Sequence, residues 1–80
     1  MFYIYIIKST SSGKYYVGCT DNVNRRLREH NSGLSKYTRN KGPWMLKYTE
    51  EYSTLLNARK REKVIKSWKK RRSIENLIGG

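Results

Sequence analysis

Residues 2–8, FYIYIIK, are β-branched or aromatic up to the closing lysine and predict a strand. A polar turn containing glycine, STSSGK, leads into YYVGC at 15–19, which predicts a second strand and so a hairpin. Alternation puts Tyr3, Tyr5 and Ile7 on one face of the first strand and Phe2, Ile4 and Ile6 on the other. In the second strand Tyr16 and Gly18 share a face, while Tyr15 and Val17 point the opposite way. A helix is expected over about residues 22–32, capped by Thr20 or Asp21 and stopped by Gly33. The polar loop LSKYTRNKGP precedes a third strand, WMLKYTEEY at 44–52, and Ser53 or Thr54 caps a second helix over about 54–69. Ile74, Leu77 and Ile78 in the basic tail predict a short last helical turn. The order β-β-α-β-α, with that short C-terminal helix, predicts an α+β fold with a small three-stranded antiparallel sheet flanked by helices.

Both long helices carry polar residues where apolar ones belong. In the first, the inward spacing selects Val23, Arg26, Leu27 and His30, of which Arg26 and His30 are polar, while Arg25, Arg28 and Glu29 lie off the stripe. Arg26 can snorkel or pair with a carboxylate, and His30 can be a satisfied structural residue or a functional one. In the second, Glu62 shares a face with Leu55, Ala58 and Ile65 and is the sole acid in NARKREKVIKSWKKRR. A carboxylate there needs an arginine or a metal ion as compensation. One carboxylate plus waters is the habit of Mg²⁺, which takes its other ligands from phosphate. If Tyr5 and Tyr16 face the same side, two phenols sit close beside Arg26 and His30; alternation alone also allows a packing pair.

Composition narrows the partners. Eighty residues make one domain, 1–80, with a basic tail from about 69 and neither repeat nor linker. The net charge is +12, the pI near 10.2 and the mean hydropathy −0.90, which together imply a polyanionic partner. Nucleic acid is the first reading, an anionic membrane surface the second, and a merely solvated basic surface the third. Lys36, Arg39 and Lys41 in the loop, with Arg59, Lys63 and Lys66 on the second helix, are the candidate phosphate-tracking residues. Tyr37 and Trp68 are candidates for stacking on bases, Trp68 more readily as a cap on the core. One cysteine, Cys19, and one histidine exclude an internal disulfide and a Cys/His zinc cluster. No apolar run approaches membrane-spanning length, and no signal peptide is visible, so a cytoplasmic protein is expected.

The segments YIYII…KYYVGCTDNVNRRLREHN, PWMLKYTEEY and ARKREKVIKSWKK, in this order, resemble the GIY-YIG nuclease superfamily over about residues 1–78. They resemble in particular its small, stand-alone bacterial branch of the UPF0213 type. The resemblance implies a metal-dependent DNA endonuclease, in repair or recombination, with one Mg²⁺ or Mn²⁺ ion. It assigns Tyr5, Tyr16, Arg26 and His30 to catalysis and Glu62 to the metal. Gly18, within the second motif Tyr16-Val17-Gly18, is expected to leave room for substrate backbone. Two positions depart from the pattern: Tyr3 replaces the first motif's glycine, and Val17 the second motif's isoleucine. Related nucleases usually carry a further domain, so a protein partner supplying specificity is also expected. The alternatives are a catalytically silent nucleic-acid-binding module and a small protein-interaction domain.

Overall fold

The structure, a computed structural model, describes residues 1–79; Gly80, the end of the expected tail, lies outside the described residues. Its elements run β1 (Phe2–Ser9), β2 (Tyr15–Thr20), α1 (Val23–Asn31), β3 (Trp44–Tyr52), α2 (Leu55–Lys66) and α3 (Arg71–Gly79). The strands form one antiparallel sheet in the order β2-β1-β3, so the fold is α+β as expected. The last element is a helix of nine residues rather than a single turn.

β1 is central and covered on both faces, which explains why it is apolar almost throughout. Ile4, Ile6 and Ile7 are fully buried and Tyr5 is 2% exposed. The even-numbered side chains, Ile4 and Ile6, meet Val17 of β2 and Ala58 and Ile65 of α2, with Trp68 and the apolar stripe of α3 closing this core. The odd-numbered ones, Tyr5 and Ile7, pack with Trp44 against Tyr16, Val23 and Leu27. The period-2 alternation of β1 therefore feeds two different cores, one on each side of the sheet.

Three local expectations change. Asn22, not Thr20 or Asp21, caps α1, its side chain accepting from the Arg25 N–H. The strand runs on through Thr20, whose hydroxyl accepts from the Asn22 N–H, and Asp21 pairs with Arg25 instead. α2 stops at Lys66, three residues early, and Trp68 turns back onto the core. Leu55 is 39% exposed because it lies in the first turn of α2, and burial begins only at Ala58. Thr54 caps α2 as expected, and Gly33, at φ +83°, follows α1 as expected.

A buried-edge ion pair fastens α2 to β3. Arg61 donates to both carboxylate oxygens of Glu50, at 2.9 and 3.1 Å, and the Tyr48 and Tyr52 hydroxyls donate to the same carboxylate. Such a fully bonded carboxylate repays its desolvation only while every partner stays. Burial by itself would raise the Glu50 pKa, but Arg61 and the two hydroxyls outweigh it and hold the group below the ordinary value of 4.5. Ionised Glu50 therefore stabilises the fold at neutral pH. That contribution begins to fade as pH falls through 4.5 and is gone below the depressed folded value. We expect Arg61→Ala to lose about 1–3 kcal/mol of stability at pH 7, with the deficit shrinking towards pH 3. Urea unfolding of both proteins at the two pH values measures this, and a deficit that does not depend on pH would contradict it.

Candidate active site

The hairpin register places Tyr5 directly opposite Gly18. A Cβ on Gly18 would collide with the hydroxyl and ring of Tyr5. The phenol thus lies across the glycine, in the space a side chain would fill. The close approach that Gly18 permits in the structure is that of the Tyr5 phenol.

Lying there, the Tyr5 hydroxyl reaches His30 of α1, with 2.8 Å between Oη and Nε2. The other ring nitrogen, Nδ1, is 2.6 Å from Thr38 Oγ1. His30 is 2% exposed and Thr38 1%. Thr38 belongs to the loop between α1 and β3, and two contacts seat that loop. The indole N–H of Trp44 donates to the Thr38 carbonyl, and the Asn31 side chain brackets the backbone N–H and carbonyl of Trp44. Tyr16 completes the aromatic cluster, its ring centroid 6.4 Å from Tyr5 and 5.0 Å from His30. The two phenols do share a face, as alternation requires.

Electrostatics hold the hydrogen-bonded pair neutral. Burial raises the Tyr5 pKa to about 12, with Arg26 opposing and Tyr16 and Glu62 adding to the rise. Burial, then the positive charge of Arg26, lowers the His30 pKa to about 4. Arg26 donates to Glu29 at 2.9 Å. Glu29, read from its helical position as a bystander, therefore orients the arginine that acts on both members of the pair. Glu62 approaches from α2, around the β2 edge of the sheet. Its side chain is 18% exposed, and its counter-charge is Lys66 at 2.7 Å rather than an arginine. The Lys66 ammonium also stands 5.7 Å from the Tyr16 ring centroid.

Comparison with known proteins is decisive at this point. The family model described as the GIY-YIG catalytic domain matches residues 1–76. The chain belongs to the GIY-YIG family. It is 43% identical over 67 residues to a UPF0213 protein of Halobacterium salinarum, covering 82% of this chain and 86% of that protein. It is 35% identical over 79 residues to a UPF0213 protein of Staphylococcus epidermidis, covering 98% of this chain and 95% of that one. The solution NMR structure of a UPF0213 protein from Bacillus halodurans is similar with a TM-score of 0.61 and 36% identity, covering 99% of this chain and 84% of that one.

Both departures from the GIY-YIG pattern fit the fold. Val17 is a core residue, 6% exposed, and Tyr3 lines a shallow groove with Asn22, Val23 and Leu46. Among the described residues no group of three or more His, Cys, Asp or Glu gathers. The largely buried Glu62 carboxylate is of the ligand type that a divalent cation keeping most of its waters takes, once the Lys66 ammonium is displaced. The phosphate-tracking candidates scatter. Lys36, Arg39 and Lys41 flank Thr38 on the loop between α1 and β3, where Arg39 donates to the Gly33 carbonyl. Arg59 and Lys63 are exposed on α2, and Lys66 alone joins the cluster. No helix among the described residues is long and apolar enough to cross a membrane. Sequence reading missed Thr38 and Glu29, since a threonine in a polar loop and a glutamate on a charged helix give no periodic signal.

His30 is the chain's single histidine, so its ring resonances are unambiguous. NMR titration is expected to give a midpoint near 4 and a neutral ring at pH 5.5, and a midpoint near 6.5 would contradict its burial. Gly18→Ala should push the Tyr5 ring aside, costing about 1–3 kcal/mol and shifting those resonances as the hydrogen bond breaks. An unfolding midpoint and histidine spectrum equal to wild type would show that the ring has other room.

Proposed function

We propose that the chain is a divalent-metal-dependent endonuclease that hydrolyses phosphodiester bonds in DNA. The observation that carries this is the cluster of Tyr5, Tyr16 and His30, from β1, β2 and α1, with Arg26 of α1 and Glu62 of α2 close enough to act electrostatically on the Tyr5 hydroxyl. Family membership supplies the class of chemistry, and the surplus of cations supplies attraction to the polyanion.

Each side chain has a task suited to its surroundings. Arg26, half-buried and held by Glu29, offers a fixed guanidinium to the charge that grows on the phosphoryl group. Tyr16, less buried than Tyr5, faces the open side of the cluster, where it can orient an attacking water. In the neutral tautomer with the proton on Nδ1, Nδ1–H donates to Thr38 Oγ1 and Nε2 accepts from the Tyr5 hydroxyl. The pair stays neutral, so His30 and Thr38 are positioning residues that hold the Tyr5 hydroxyl in place. Glu62 would hold the divalent ion, which when bound supplies charge neutralisation at the phosphate and the leaving oxygen. Lys66 must then give up its pairing with that carboxylate.

The test is nicking of supercoiled and branched DNA with Mg²⁺ or Mn²⁺. We expect Glu62→Gln to abolish nicking and Arg26→Ala to slow it by about 10²–10³-fold, while both variants still bind DNA in EDTA. Salt-sensitive binding by the wild type without metal-dependent nicking would make the chain a binding module and overturn the enzyme reading.

A further inference from the structure

A second site lies along the β2 edge from the catalytic cluster, on the opposite face of the sheet. Tyr15, the neighbour of Tyr16, points there with the core of α2 and α3. A groove of about 320 Å³ opens between the hairpin and the α2–α3 junction, lined by Lys14, Tyr15, Trp68, Lys69, Lys70 and Arg71. With Ile74 the lining is seven residues, four of them cations, and Glu75 is the one carboxylate paired into the group.

Arg71 is held in place before any ligand arrives. Its guanidinium stacks 4.9 Å from the Tyr15 ring centroid, and its Nε donates to Glu75 at 3.2 Å. Its terminal nitrogens lie against the hairpin turn, 3.7 and 3.8 Å from where a Cβ on Gly13 would stand. A stacked, tethered arginine loses little freedom on binding and presents a planar fork to an anion. Lys69 and Lys70, exposed on the connection between helices, make no ion pair among the described residues. Like charges crowded at one groove repel each other until a polyanion neutralises them. Trp68 adds an aromatic wall, half-buried between the core and the Arg61 guanidinium.

We propose that this groove binds a single-stranded segment of nucleic acid, with its phosphates on Lys69, Lys70 and Arg71 and a base against Trp68. An open cationic groove with an indole in its lining suits a flexible strand, whose bases are free to reach the ring, whereas a duplex keeps its bases stacked and out of reach. Lys66 lies between the groove and Glu62 in sequence and touches the catalytic cluster. The proposed binding does not rest on the nuclease reading.

The experiment measures binding of a fluorescent twelve-residue oligothymidylate and of a blunt duplex by anisotropy in EDTA, where cleavage cannot occur. The triple variant Lys69→Ala/Lys70→Ala/Arg71→Ala is compared with a charge-matched control, Arg28→Ala/Lys47→Ala/Lys60→Ala. We expect the groove variant to weaken oligothymidylate binding about tenfold or more and to flatten the log K against log salt slope by about 2. The control should change affinity less than threefold. Oligothymidylate should also quench tryptophan emission, and Trp68→Phe should remove the quenching while Trp44 stays. Equal losses in the groove variant and the control, or equal losses for oligothymidylate and duplex, would overturn the proposal. The same would follow from quenching that survives Trp68→Phe. Because no readout involves catalysis, failure to nick DNA would sink the nuclease reading and leave these results standing.

Discussion

The contact on which the site depends is a phenol laid over a glycine. Tyr5 sits on the central strand, where neighbours on both sides and helices on both faces leave almost no water. Its hydroxyl needs a partner, because an unsatisfied buried hydroxyl is costly. Only with Gly18 opposite can the ring lie across β2 and bring that hydroxyl to His30. The register of one hairpin therefore sets the position of the first member of the cluster, and everything else is arranged around it.

The two faces of the sheet solve the problem of buried charge differently. On the α2–α3 side, Glu50 has four hydrogen bonds from three residues, a closed arrangement with no spare valence for a ligand. At the β2 edge, Glu62 has one exchangeable ammonium, and Arg26 has one carboxylate. The first arrangement ties helix to sheet. The second leaves charges with single, replaceable partners. The same contrast distinguishes Tyr48 and Tyr52, committed to Glu50, from Tyr16, whose neighbours are rings and the Lys66 ammonium.

The excess of positive charge, too, is organised unevenly. Lys36, Arg39 and Lys41 extend from a loop whose backbone is seated through Thr38 and Trp44, whereas Lys69, Lys70 and Arg71 crowd the junction of two helices beside two aromatic rings. Charge of this kind attracts a polyanion anywhere on the surface, whereas the fixed Arg71 beside Tyr15 gives one patch a defined geometry.

The strand alternation, the break at Gly33, the third strand over 44–52 and the Thr54 cap were all legible in the sequence, because each arises from neighbours in the chain. So was the oddity of Arg26, His30 and Glu62, since a polar side chain on an apolar helical stripe is visible from spacing alone. What spacing could not give was the partner of each. Lys66 for Glu62, Glu29 for Arg26 and Thr38 for His30 are chosen by how α1, α2 and a loop without periodicity meet the sheet. The use of Gly18 was decided the same way, because a glycine's vacancy is defined only by what another strand puts into it. Local order follows from dihedral preference and period, whereas a site depends on contacts between segments far apart in the chain, and those exist only once the sheet and helices have packed.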